Sequence, residues 1–266
     1  MAERPESSRP VPFRGGGFHY VPRKAVPWIG FALILILWQV LCSADVISPL
    51  FLPSPESIGV ALWRLIESGA IVSHLGWSLQ RILAGWAIGT AAGLAVGLTM
   101  GIFSAARSLG LPFVSALFPI PKIALLPLLI LWFGIGEPSK IAVIALGVFF
   151  PTVISAYTAC DSVPRNLIRM GQSFGLSGHT IVSEILLPGA MPGILSGFRI
   201  SASIALILVV AAEMIGAQHG IGAFILSAGN LMQTDQLLAG VVVLSVLGLL
   251  ISFVLGRVET WVLRWR

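Results

Sequence analysis

Polar residues in this chain gather in short stretches between long apolar blocks. Pro27–Ala44, Gly76–Phe103, Ile141–Cys160, Ile194–Ala217 and Leu237–Gly256 are such blocks. A helix rising about 1.5 Å per residue needs about 20 apolar residues to cross the hydrocarbon layer. Each block therefore predicts a membrane-spanning helix. A further span is predicted over Lys122–Gly134, entered by a kinked segment, because Leu111–Gly134 carries Pro112, Pro119, Pro121 and Pro127. Each proline removes a donor and disfavours helix just before itself, so the stretch cannot be one straight helix. A break at membrane depth survives only inside protein or beside a water-filled cavity. Pro151 predicts a kink in the fourth span.

Within the second span, Gly85, Gly89, Gly93, Gly97 and Gly101 recur every four residues. They share one helix face and predict close approach by another helix, since packing drives association in lipid. Ser54-Pro55-Glu56 reads as N-cap, first-turn proline and first-turn acid. Ile58, Ala61, Leu62, Leu65 and Ile66 then share a face, so Pro55–Ser68 predicts a short amphipathic helix on the membrane surface. Gln218–Gln236, rich in Gly, Asn and Gln, predicts a loop. Pro188 is expected to end a helix ahead of the fifth span.

Composition agrees with the membrane reading. Of the 266 residues 56% are hydrophobic and only 10% charged, and the mean hydropathy is +0.96. A soluble surface needs about 25% charged residues. Cys42 and Cys160 lie in apolar blocks and read as small buried hydrophobes. Met1–Lys24, with Pro, Ser, Arg and Gly15-Gly16-Gly17, predicts a disordered tail covering about residues 1–26, ahead of a transmembrane domain over 27–266. The first apolar run is long and lacks a convincing small-residue cleavage site, so it is expected to be a retained signal anchor.

The basic residues orient the chain. Placing the tail, the second-to-third loop, the fourth-to-fifth loop and the C-terminus on one side collects 13 of the 16 Lys and Arg residues, leaving Arg64, Arg81 and Lys140 opposite. The positive-inside rule then predicts cytoplasmic termini and a cytoplasmic Met170–Gly197 region. The high isoelectric point is thereby a matter of orientation, with no nucleic-acid partner implied.

Several chemistries find no support. No G-x-x-x-x-G-K-[ST] frame surrounds Lys24, Lys122 or Lys140, which excludes a P-loop ATPase. His19, His74, His179 and His219 show no zinc spacing, and no GxSxG predicts a nucleophile. Ionisable residues inside spans are then the functional candidates. Glu213 lines a pathway, holds an outer gate, or bonds backbone at a break near Gly216 or Gly220. Arg199 reads as an interfacial anchor, as does Arg81, although an anion site would also use such a charge. Gln80 and His74 read as interface polars.

The stretch Met170–Gly197 contains a short helical piece, a turn at Gly175, and a second piece ending in Ile185-Leu186-Leu187-Pro188. It resembles the cytoplasmic coupling loop of permease subunits in binding-protein-dependent ABC importers, where Glu-Ala-Ala, a glycine and Ile-x-Leu-Pro follow at this spacing. Arg169-Met170-Gly171 stands where the family usually has Glu-Ala-Ala. Further stretches are similar to the nitrate/sulfonate/taurine branch. They include Ile47–Pro55, Ser78-Leu79-x-Arg81, Pro121–Leu128, Trp132–Gly136, Leu187–Pro192 with Gly197-x-Arg199, Gly220–Gly222 and Gln233–Asp235.

The resemblance implies an all-α, six-span type I importer permease, multi-pass in a bacterial inner membrane. It implies a second copy of the chain, two cytoplasmic ATPases and an extracytoplasmic binding protein as partners. Alkanesulfonates, taurine or nitrate-like anions are the implied cargo. The chain itself would not be catalytic and would bind no cofactor or metal, because ATP and Mg belong to the ATPase. The loop, about residues 161–193, would dock that ATPase through Arg169, Met170, Gly171, Ser173, Phe174, Gly175, Leu176, Ser177, Ile181, Leu187 and Pro188. Glu213, Arg81, Pro127 and Trp132 are pathway or gate candidates. The alternative is a secondary transporter driven by an ion gradient, which would want polar groups in broken helices near mid-membrane.

Overall fold

A computed structural model describes residues 25–44 and 46–265. The expected tail lies almost wholly outside the described residues. The chain divides after Ser57 into two units.

In the first unit, α1 (Val26–Ser43) is an 18-residue apolar helix. Cys42 Sγ approaches the Leu52 carbonyl at 3.5 Å. The cap predicted at Ser54 forms, its Oγ accepting from the Ser57 amide at 3.2 Å. It opens α2 (Pro55–Glu67), which runs on into the second unit, where its Ile58 and Ala61 are buried.

The second unit is all helical among its described residues. It comprises α3 (Ala70–Ile102), α4 (Ser104–Leu117), a 3-10 turn (Lys122–Leu125), α5 (Leu126–Phe133), α6 (Glu137–Asp161), α7 (Arg165–Ser173), α8 (Gly178–Ile181), a π turn (Val182–Leu186), α9 (Leu187–Gly216), α10 (Ile221–Asn230) and α11 (Thr234–Val262). Among the described residues five helical stretches are long and apolar enough to cross a membrane. The pair α4 and Lys122–Phe133, bent by 86°, makes six when taken as one span.

The glycine ridge of α3 meets α6. A Cβ at Gly85 would sit 2.6 Å from the Ile144 side chain, and one at Gly89 would strike the Ala145 carbonyl. One at Gly93 would come 2.7 Å from the Phe149 carbonyl, at Gly97 2.6 Å from Ala156 Cβ, and at Gly101 2.7 Å from Cys160 Cβ. The two helices therefore pack closely from Gly85 to Gly101, with backbone approaching backbone at Gly89, Gly93 and Gly97. A second ridge, on α9, takes the other side of α6. Gly189 faces Val163, Gly193 faces Ala159 at 2.7 Å, and Gly197 is closed by Ser155. The central core brings Ile82, Leu126, Val143, Val148, Val209 and Leu247 together from α3, α5, α6, α9 and α11.

At the proline-rich bend, Lys122 Nζ donates to the carbonyls of Leu117 at 2.7 Å, Phe118 at 3.2 Å and Ile120 at 2.7 Å. These are the orphan acceptors of the α4 end and the link that follows it. Phe150 lies under the ammonium at 4.5 Å.

Three expectations are corrected. Gln218–Gln236 contains a ten-residue helix, α10, whose Ile221 and Ile225 pack with Ile71. Pro188 ends nothing, because helical backbone continues from Gly178 to Gly216. A proline ring collides with the carbonyl four residues back, here that of Glu184, and the wider π turn over Val182–Leu186 opens the ladder at that place. The fourth and fifth spans also start earlier than the apolar runs, at Glu137 and Leu187.

Candidate functional site

Two constructions stand at opposite ends of α6 and α9. The first is an elbow between the end of α6 and the start of α9. Its first arm, α7, closes in a Schellman motif: the Leu176 amide donates to the Gly171 carbonyl at 3.1 Å and the Gly175 amide to that of Gln172 at 2.9 Å. Gly175 has φ +73, a left-handed conformation that glycine adopts without penalty. Ser177 then caps the second arm, accepting from the Thr180 amide at 3.2 Å. Ser173 Oγ donates to the Arg169 carbonyl at 3.0 Å.

The elbow is seated on the bundle. Gly171 is buried, and a Cβ there would come within 2.9 Å of Ile185 Cδ1, with Ile181 and Leu176 close behind. Val163, Leu186, Ala190 and Ile194 form the cluster beneath, with Ile168 and Val182 packed against it. The outer surface is different. Phe174 is 77% exposed and Met170 52%, and Arg165, Arg169, Ser173 and Ser177 are exposed as well. Of the apolar residues read as a contact surface, Phe174 and Met170 point away from the chain, whereas Ile181 is half-buried against α7. Leu187 and Pro188 are half-buried at the start of α9.

The second construction is a buried ionic knot. Arg81 of α3 donates from Nε to Glu137 Oε2 at 2.5 Å and from Nη2 to Glu137 Oε1 at 2.7 Å. Its Nη1 donates to Glu213 Oε1 and to the His219 carbonyl, both at 2.6 Å. Glu213 also accepts from Ser78 Oγ at 2.9 Å and from the Gly222 amide at 2.9 Å. Ser78 Oγ in turn accepts from the Ile221 amide at 2.8 Å, and His74 Nδ1 accepts from the Gly220 amide at 3.1 Å. A Cβ at Gly220 would overlap the Glu213 carboxyl group. The Arg81 and Glu213 side chains are 2% and 0% exposed. Lys140 Nζ caps the Gly136 carbonyl at 3.0 Å and lies 3.9 Å from Glu137.

The knot corrects several readings. Arg81 is the hub of a buried network and no interfacial anchor. His74 caps the backbone that leads into α10. Glu213 takes the backbone-bonding role foreseen for it, with Arg81 and Ser78 added. The missed members are Glu137, Ser78 and the amides of α10. Their signals in the sequence are the first-turn acid of α6, the Ser78-Leu79-x-Arg81 stretch and the Gly220–Gly222 turn. The other two gate candidates stand apart. Pro127 is in the first turn of α5, and Trp132 is 65% exposed near its end. Arg199 pairs with Glu259 of α11 at 2.7 Å. Among the described residues no group of three or more His, Cys, Asp and Glu could hold a metal.

A family profile for the binding-protein-dependent transport system inner membrane component matches residues 89–265. The chain belongs to this family. The permease is 36% identical over 242 residues to the putative aliphatic sulfonates transport permease protein SsuC of Escherichia coli strain K12, covering 91% of this chain and 92% of that one. It is 35% identical over 239 residues to the taurine transport system permease protein TauC of the same strain, covering 88% and 87%. The fold matches a methionine ABC transporter, MetNI, solved in inward-facing conformations. The TM-score is 0.60, with 24% identity and coverage of 70% of this chain and 92% of that one. The permease is thus an inner-membrane subunit of an ABC importer, working with ATPase and binding-protein partners. Nothing favours the gradient-driven alternative.

Proposed function

We propose that this permease carries small sulfonate-like anions, with taurine, other alkanesulfonates and nitrate as the class, delivered by the extracytoplasmic binding protein. The names of the two relatives above support this cargo. Two copies of the chain form the pore. The elbow over about residues 161–193 faces the cytoplasm and seats in the ATPase. ATP and Mg stay with that partner, and this chain binds no cofactor.

One observation carries the reading: the elbow is locked to its own bundle on one side and unpartnered on the other. Gly171 is buried against Ile185, while Phe174 and Met170 project outward. A segment that transmits force needs both a stiff seat and a free grip. Its ends are the end of α6 and the start of α9, so closure of the ATPases acts on both spans directly. At the far end of the same helices, Arg81 and Glu213 hold the outer gate, and Pro127 and Trp132 of α5 line the path between the two copies.

Gly175→Arg tests the elbow. A side chain at φ +73 is strained and breaks the Schellman turn. The variant is expected to insert normally, to lose ATPase co-purification and to lose taurine uptake in cells. Normal uptake by that variant would remove the elbow from the mechanism.

A further inference from the structure

α7 breaks the local rules of helix electrostatics. A helix N-terminus carries partial positive charge and favours acids in its first turn. The first residue of α7 is Arg165, its first turn has no acid, and Pro164 supplies no side-chain cap. One turn on stands Arg169, a like charge at i,i+4, a spacing that is itself unfavourable. Both are exposed.

No carboxylate of this chain relieves them among the described residues. Asp161, the acid nearest in sequence, is taken by Arg107, whose Nη1 and Nη2 reach its two oxygens at 2.6 and 2.5 Å. Glu184, the other acid of the elbow, is exposed and forms no ion pair with either arginine. Beside the two charges lie the exposed Met170 and Phe174. Local rules broken without internal compensation mark places where something outside the chain supplies it.

We infer that the ATPase surface receiving α7 is acidic, with carboxylates placed opposite Arg165 and Arg169 around an apolar socket for Phe174. This rests on the reading of the elbow as the ATPase-coupling segment, and it adds the sign of the partner's charge. Arginine suits the task because its planar fork grips a carboxylate through two parallel hydrogen bonds. Complementary charge of this kind selects the partner and speeds its encounter. An ATPase built for an acidic elbow would be repelled.

The test uses the full permease in nanodiscs with its own ATPase. Binding is measured as the fraction of ATPase retained, with phosphatidylglycerol present or absent. The wild-type pair is expected to hold at about 0.1 M salt and to weaken at about 1 M, where the screening length falls from about 10 Å to about 3 Å. R165E/R169E is expected to bind at least about tenfold more weakly at low salt, and R165K/R169K to fall between it and wild type, keeping the charge and losing the fork. Replacing single carboxylates of the ATPase groove by lysine should restore R165E/R169E.

Equal retention of R165E/R169E and wild type overturns the inference and leaves the elbow's role intact, provided Gly175→Arg still abolishes binding. A loss seen only with phosphatidylglycerol present assigns the arginines to lipid headgroups and also overturns it. If the wild-type permease retains no ATPase, the parent reading fails and the inference falls with it.

Discussion

The knot and the elbow are joined by the same two helices, yet they treat charge in opposite ways. α6 alone separates them by about 37 Å at 1.5 Å per residue. At the knot, every polar atom of Arg81 and Glu213 is spent within the chain, on partners 56 and 132 residues away in sequence. At the elbow, Arg165 and Arg169 are left open. Burial explains the contrast. A charge inside protein must be paired and hydrogen-bonded or it destabilises the fold, whereas a charge in water can wait for a partner. The knot ties α3, α6, α9 and the α10 turn into one body. The elbow is the part of that body turned toward another molecule.

The sharpest way to break this contrast is to cut the knot. Arg81→Ala strands the Glu213 carboxylate in the interior, whereas Glu213→Ala takes one of two carboxylates from a guanidinium that keeps Glu137. Removing one partner of a buried pair costs about 3–5 kcal/mol. Both variants should lower the denaturation midpoint in detergent, Arg81→Ala the more. The double variant should cost less than the sum of the two, because no charge is left stranded at the Glu213 site. Equal and additive losses would mean that the two residues act independently and that the knot is no unit.

Ser78→Ala is the intermediate case. The hydroxyl serves Glu213 as donor and the Ile221 amide as acceptor. Its removal leaves one buried amide unpaired, at about 1–3 kcal/mol. The loss should appear locally, as faster hydrogen exchange at the start of α10, before it appears in global stability. Unchanged exchange at Ile221 would show that another acceptor takes over.

The two ends were not equally legible in the sequence. The elbow depends on local signals, a turn glycine and its spacing to Ile185-Leu186-Leu187-Pro188, and these lie within a short stretch of sequence. The knot depends on Arg81 meeting Glu137 and Glu213, and no local pattern pairs residues so far apart. The α3 ridge was readable because nothing interrupts its four-residue period. The α9 ridge at Gly189, Gly193 and Gly197 has the same period, but Pro188 beside it reads as a helix end. The π turn that absorbs Pro188 leaves no signature in hydropathy. α10 was missed because glycine and asparagine at its ends outweighed the apolar Ile221–Leu226 between them.

The smallest effect tests the elbow's half of the contrast. If Arg165 is kept for a partner, the helix should be better off without it. Arg165→Glu places an acid in the first turn of α7, worth about 0.3–1 kcal/mol against the helix dipole. It also turns a repulsive pair with Arg169 into an attractive one, worth about 0.2–0.5 kcal/mol, with the acid on the favourable N-terminal side. Amide exchange across α7 in the free permease should therefore slow by a few fold, while ATPase recruitment falls. A change that stabilises a segment and weakens its use is what a surface shaped by an absent partner predicts. Had the arginines been there for the helix itself, the same substitution would speed exchange, and the division of labour between the two ends would fail at this end.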